Sequence, residues 1–131
     1  MKDNQTIAQF LKVKNFPFII HNDKGKEIYL EYSDGYWYKR EYDDKGDVIY
    51  FESSTGYWTK CEQDDQGNQI YYENSDGYWN KFEYDEQGHV IYFENSNGLI
   101  VDNHPKPMIE LTLEDIAKLK GVDVSQIRIK E

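Results

Sequence analysis

Ile70-Tyr-Tyr-Glu-Asn-Ser-Asp-Gly-Tyr-Trp-Asn-Lys-Phe-Glu-Tyr-Asp-Glu-Gln-Gly-His-Val90 is one unit of a repeat. Its Ile-Tyr pair recurs at Ile28-Tyr29, Ile49-Tyr50, Ile70-Tyr71 and Ile91-Tyr92, a step of 21 residues. Tryptophan keeps the same step at Trp37, Trp58 and Trp79, and glycine keeps it at Gly35, Gly56, Gly77 and Gly98 and at Gly25, Gly46, Gly67 and Gly88. A period of about 20–50 residues marks a repeat architecture, in which each unit buries its apolar face against its neighbours. Such chains present a regular surface to a partner and seldom build a single catalytic pocket.

Within the unit, Tyr78–Tyr84 reads as one strand and Val90–Asn95 as the next. Asp or Asn followed by Gly between aromatic, β-prone segments is a hairpin signal, because Gly supplies the positive φ that the turn needs. The spacing predicts a mainly β fold, an antiparallel meander of about eight strands built from hairpin repeats, with a short helix near each end.

The turns set an expected register. Taking Ser-Asp-Gly as a three-residue loop and Asp-Glu-Gln-Gly as a four-residue loop puts Trp79 between Glu73 and Glu94, and Lys81 between Tyr71 and Tyr92. Repeated along the chain, this gives a Glu–Trp row (Glu31, Trp37, Glu52, Trp58, Glu73, Trp79, Glu94) and a Tyr–Lys row (Tyr29, Lys39, Tyr50, Lys60, Tyr71, Lys81, Tyr92). Lys over Tyr would add a cation–π contact worth about 0.5–1 kcal/mol. The other face is more apolar, with Tyr36, Tyr38, Ile49, Phe51, Tyr57, Ile70, Tyr72, Tyr78, Phe82, Ile91 and Phe93. That face is expected to be covered by sheet curvature or by the terminal helices.

The expected organisation is one domain in three parts: an N-terminal helical cap over 1–17, the hairpins over 18–102 and a helix–strand cap over 103–131. Ile7, Phe10 and Leu11 form the apolar side of a first short helix. His104-Pro105-Lys106-Pro107 reads as a linker. Thr112-Leu-Glu-Asp115 reads as a helix N-cap with an acid at the third helical position, and Gly121 as the helix stop. Ile127-Arg128-Ile129-Lys130 alternates like a terminal strand.

Composition narrows the function. The 131 residues carry a formal net charge of −10, which opposes direct binding to DNA or RNA and suits a partner with a basic surface. Met1-Lys2-Asp3-Asn4-Gln5 leads into no long apolar run and nothing approaches a membrane span, so no membrane partner and a cytoplasmic location are expected. Cys61, the single cysteine, stands where sister repeats have Arg40 and Phe82, and packing rather than nucleophilic chemistry is expected of it. No cofactor is expected. His21, His89 and His104 lack zinc spacing, and the acidic turns lack the closing Glu of a calcium loop. The Glu that recurs in every unit argues against a hydrolase, whose two carboxylates need different surroundings.

Residues 70–79 and 84–89 resemble the tandem aromatic hairpin repeats of small bacterial and phage proteins, and Tyr-Asp-x-x-Gly resembles the Tyr-Asp repeats of Rhs-type proteins; the likeness covers 18–98. The unit also resembles the choline- and glucan-binding repeats of surface proteins, without their Gly-Trp opening. Leu111–Val122 is similar to the opening of a helix-turn-helix, with only Asp123–Ile129 left to serve as a recognition helix; capping of the open sheet is the expected role of this tail.

The phage resemblance, small size and acidity together imply a non-enzymatic protein-binding module. The specific expectation is an inhibitor of anti-CRISPR or anti-restriction type, which occupies a basic nucleic-acid-binding surface of a host defence protein. Its candidate contacts are the turn acids Asp43, Asp44, Asp64, Asp65, Asp85 and Glu86 and the aromatic anchors Trp37, Trp58, Trp79, Tyr50 and Tyr71. Two alternatives stand beside it: a carbohydrate-binding module stacking sugars on the tryptophans, and an immunity or structural partner of a toxin. Open sheet edges also allow a homodimer.

Overall fold

A computed structural model describes residues 3–106 and 109–128. Its strands are β1 (Phe18–His21), β2 (Glu27–Glu31), β3 (Trp37–Tyr42), β4 (Val48–Ser53), β5 (Trp58–Gln63), β6 (Gln69–Asn74), β7 (Trp79–Tyr84), β8 (Val90–Asn95) and β9 (Ile100–Asp102). They form one antiparallel sheet in strict sequence order, a nine-stranded meander. The ninth strand comes from the stretch after Gly98, where the repeat loses its Trp but keeps one more pairing, Glu94 to Ile100.

Both sets of turns close in the same way. In the Ser-Asp-Gly set, the Asn74 amide donates to the Tyr78 carbonyl at 3.0 Å and the Gly77 amide to the Asn74 carbonyl at 3.1 Å. In the acidic set, the Asp85 amide donates to the His89 carbonyl at 2.9 Å and the Gly88 amide to the Asp85 carbonyl at 3.0 Å. Each is therefore a three-residue loop whose last residue is Gly at φ near +85°. The expected four-residue Asp-Glu-Gln-Gly loop is corrected on this point. The Asp85 carboxylate drives the tighter closure, since its Oδ1 accepts from the amides of Gln87 (3.0 Å) and His89 (2.8 Å).

The shorter loop moves the register by one residue, and a β-bulge between Glu83 and Tyr84 moves it by one more. Two steps preserve the parity of the strand, so every side chain keeps its expected face. The partners change, however. Trp79 lies opposite Glu73 as expected, while Lys81 lies opposite Tyr71 on one side and Glu94, rather than Tyr92, on the other. The same shift puts Lys39 opposite Glu52 and Lys60 opposite Glu73. Uniform Glu–Trp and Tyr–Lys rows are thus replaced by mixed rows, such as Glu41–Tyr50–Lys60–Glu73–Trp79 across β3 to β7. Cation–π contacts follow the new geometry: Lys81 sits over Trp79 at 5.1 Å, not over a tyrosine.

Neighbouring hairpins are clasped at the opposite end of the strands. Ser54, Ser75 and Ser96 each donate a backbone amide to the carbonyl of Trp37, Trp58 or Trp79 at 2.9–3.0 Å. Each serine hydroxyl accepts the amide of the same tryptophan at 3.2–3.3 Å.

The sheet is thin. Its apolar face carries a chain of ring contacts, Tyr36–Tyr38, Tyr38–Phe51 and Phe51–Tyr57, with centroids 5.7–6.5 Å apart. Tyr36 and Tyr57 remain 36% and 37% exposed. The expected covering of this face by the first helix is overturned: α1 (Ile7–Phe10) docks on the face that carries Trp37 and Glu31. Its anchor also differs from expectation, since Ala8 is buried while Phe10 and Leu11 are exposed. A four-residue helix has too short an apolar stripe to use that side; it docks by hydrogen bonds at its start.

α2 (Leu113–Lys120) begins at Thr112 with a reciprocal capping box to Asp115 and ends at Gly121 with φ 66°, as the sequence predicts. It packs on a 3-10 turn, Val124–Gln126, capped by Asp123. That turn stands where the approach to a terminal strand was expected. Ile129 and Lys130 of the expected strand, and Pro107 of the expected linker, lie outside the described residues. Among the described residues no helix is long and apolar enough to cross a membrane.

Candidate functional site

The site begins with a motif repeated four times on one face. A tyrosine donates its hydroxyl to the Glu two residues on: Tyr29 to Glu31 (2.9 Å), Tyr50 to Glu52 (3.1 Å), Tyr71 to Glu73 (3.2 Å) and Tyr92 to Glu94 (2.9 Å). Alternation along a strand puts such i, i+2 side chains on the same face. In the first three units a Trp faces the Glu across the ladder and a Lys faces the Tyr. Each unit therefore presents a notch of Tyr, Glu, Trp and Lys.

The first notch is filled. The Thr6 hydroxyl donates to Glu31 Oε1 at 2.6 Å and the Ala8 amide to Glu31 Oε2 at 3.1 Å. A helix start has unsatisfied N–H groups and favours a negative charge beside them. Glu31 is 2% exposed and Tyr29 7%, while the Tyr29 ring stacks on Trp37 at 5.9 Å. Burial, with the Glu31 carboxylate next, pushes the Tyr29 hydroxyl well above the usual phenol range.

The second notch is closed by an ion pair. Lys39 Nζ lies 2.8 Å from Glu52 Oε2, and this contact lowers the Glu52 carboxyl and raises the Lys39 ammonium from their ordinary values. The third notch, Tyr71, Glu73, Trp79 and Lys81, is half-open: among the described residues only the Tyr71 hydroxyl bonds to Glu73. The fourth has Ile100 in place of Trp.

The acidic turns lie along one edge, as the meander requires, at Asn22–Lys26, Asp43–Asp47, Asp64–Asn68 and Asp85–His89. The six acids singled out from the sequence divide into two groups. Asp43, Asp64 and Asp85 are half-buried and hold their own turns through two backbone amides each. The amides of Asn68 and His89 pull the Asp64 and Asp85 carboxyls below their ordinary value. Asp44, Asp65 and Glu86, one residue further on, are exposed. Lys45 crosses to the next turn and donates to the Asp65 carbonyl, which ties adjacent hairpins together.

A cleft of about 720 Å³ opens between the last two acidic turns, lined by Asp65, Tyr71, Lys81, Glu83, Glu86 and Tyr92. Tyr71 belongs both to this cleft and to the third notch. The structure brings Tyr71, Asp65 and Glu86 together on this cleft, with Trp79 apart from it opposite Glu73; Trp37 shares a cavity with residues 3–7, and Trp58 lies beside the Lys39–Glu52 pair.

Two further groups complete the surface. His104 places Nδ1 2.7 Å from Asp102 Oδ1 and Nε2 2.5 Å from Glu83 Oε2, with its ring 5.6 Å from that of Tyr92. Asp102 first, and then Glu83, hold its imidazole above the ordinary value. Cys61 is half-buried on the apolar face with its thiol toward the Val48 carbonyl at 3.0 Å, and burial pushes the thiol up, away from nucleophilic use.

Sequence reasoning passed over Glu31 as a docking point and Ser54, Ser75 and Ser96 as clasps. The serines do recur at the 21-residue step and were legible. The docking on Glu31 was not, because no periodicity connects Thr6 with a residue 25 positions on. No protein-family model matches this chain, and no curated protein matches it.

Proposed function

We propose that this chain is a non-enzymatic protein-binding module, and more specifically an acidic inhibitor that occupies a basic nucleic-acid-binding surface of a host defence protein, of anti-CRISPR or anti-restriction type. The observation that carries the reading is the exposure of Asp44, Asp65 and Glu86 on successive turns of one edge. Equivalent turns stand two strands apart, about 9–10 Å, so the negative groups form a spaced line rather than a cluster. Turn-closing work falls on Asp43, Asp64 and Asp85, which leaves the outer three unengaged by their own turn amides. A basic groove that normally tracks phosphates would meet a row of carboxylates, and such pairing acts chiefly on the rate of encounter. The resemblance to phage hairpin repeats fits this role.

The test is inhibition of nucleic-acid cleavage by a panel of CRISPR effectors and restriction enzymes, with association followed at rising salt. The expected result is a target whose association rate falls steeply as salt rises and which is released by the combined Asp44→Asn, Asp65→Asn, Glu86→Gln variant. Unchanged affinity of that folded variant for a target it inhibits overturns the electrostatic mechanism.

The carbohydrate reading has less support. Tyr29 stacks on Trp37 and Lys81 lies over Trp79, so the three tryptophans do not form a uniform row of bare stacking faces.

A further inference from the structure

We propose that the third notch, Tyr71–Glu73–Trp79–Lys81, is a docking site for a helix start on a partner protein, a segment with Thr or Ser at its N-cap followed by a turn whose first amides are free. The proposal rests on the reading of this chain as a protein-binding module, but it uses a sheet face rather than the acidic edge.

The occupant is inferred from the first notch. There Glu31 receives the Thr6 hydroxyl and the Ala8 amide, and Tyr29, Trp37 and Lys39 line a cavity with residues 3–7. The third notch repeats the same four residue types 42 positions later with the same ladder, Glu73 opposite Trp79 and Tyr71 opposite Lys81. Its tyrosine makes the same hydroxyl–carboxylate bond and so orients the carboxylate in the same way. Two things differ: Tyr29 stacks on Trp37 in the first notch whereas Lys81 lies over Trp79 in the third, and the far side of the Glu changes. Glu31 faces the neutral Phe18, and its charge is met by the helix start. Glu52 faces Lys39, which satisfies it at 2.8 Å and closes the notch. Glu73 faces Lys60, and no ion pair joins them among the described residues.

Glu73 is thus a half-buried carboxylate with one hydrogen bond, opposite Trp79 on one side and Lys60 on the other. A helix start offers two or three donors in the required geometry and places no side-chain cation there. A second copy of this chain is a poor occupant, because its own Thr6–Ala8 segment is held by its own Glu31.

The probe is a synthetic peptide matching residues 3–14, titrated into the full-length ¹⁵N-labelled protein while the indole N–H signals of Trp37, Trp58 and Trp79 are followed. The expected result is a saturable shift of Trp79 and the Tyr71 region, weakened about tenfold or more by Glu73→Gln in the protein or by Thr→Val at the peptide's N-cap. Trp58 should stay still in the wild type and begin to respond when Lys39→Ala frees Glu52. The peptide arm needs no change to the protein, so a folding defect in Glu73→Gln cannot mask the answer. A Trp79 signal that does not move at millimolar peptide, or moves equally with the Thr→Val peptide, overturns the proposal. So does self-association that Glu73→Gln disperses, which would assign the notch to a second copy. Asp44→Asn, remote from the third notch, should leave the peptide response unchanged, so failure at the edge and failure at the notch read out separately.

Discussion

Lys39 Nζ sits 2.8 Å from Glu52 Oε2, directly across the β3–β4 ladder. This pairing exists because the acidic loop is one residue shorter than its Asp-x-x-Gly spelling suggests and the strand beside it is bulged by one more. Had Trp37 faced Glu52 as the longer loop implies, the carboxylate would lack a cation. Both partners are partly exposed, so Lys39→Ala should lower stability by no more than about 1 kcal/mol. Chemical denaturation measures that change, and loss of the depressed Glu52 carboxyl value by NMR titration would accompany it.

Glu31 should be the most costly of the four repeated acids. It is 2% exposed and holds Thr6, Ala8 and Tyr29 together. Glu31→Ala leaves these donors without their acceptor and should cost about 1–3 kcal/mol. The same change at Glu73, half-buried with one hydrogen bond, should cost less. Amide hydrogen exchange over residues 6–13 should rise sharply in Glu31→Ala alone.

The turn-closing and the exposed acids should separate in a paired experiment. Asp64→Ala removes the acceptor for the Gln66 and Asn68 amides, both at 2.9 Å, and should lower the denaturation midpoint. Asp65→Asn should leave the midpoint in place, since Asp65 side-chain oxygens close no turn.

Gly77→Ala should destabilise by about 1–3 kcal/mol through the backbone alone. Its φ is 85°, yet a Cβ there would meet nothing within 4 Å, so the cost is conformational rather than steric. The Gly67→Ala change should behave alike, and thermal unfolding of the two variants provides the comparison.

The His104 clasp should weaken as pH rises. Its folded value is raised by Asp102 and Glu83, so its contribution is fully present below the unfolded value of about 6.5 and is lost as pH climbs through the higher folded value. Hydrogen exchange at residues 102–106 should therefore accelerate on going from acidic to alkaline buffer beyond the intrinsic pH effect, and His104→Gln should abolish the excess.

Much of this molecule was legible in its residues, for definite reasons. The Gly positions fixed at a 21-residue step announced the turns, and the alternation between them assigned each side chain to a face. Thr112 and Asp115 spelled out a capping box that formed as written. The register was harder, because Asp85 closes its own turn with a side chain and so removes one residue from the loop, and because a bulge leaves no distinctive residue type behind. The candidate anchors were only partly legible. Trp37, Trp58 and Trp79 look alike in sequence, yet one shares a cavity with residues 3–7, one stands beside an ion pair and one lies under Lys81.

Local chemistry settled what a local rule can settle: hairpin turns, strand faces, helix caps and the charge of one sheet edge follow from residues a few positions apart. Which repeat is occupied depends on contacts that skip over 25 residues, Thr6 to Glu31, and on whether Phe18 or a lysine completes the neighbouring strand. Identical units become different sites through what the neighbouring strand sets opposite each carboxylate, because Phe18 leaves Glu31 to the helix start whereas Lys39 satisfies Glu52.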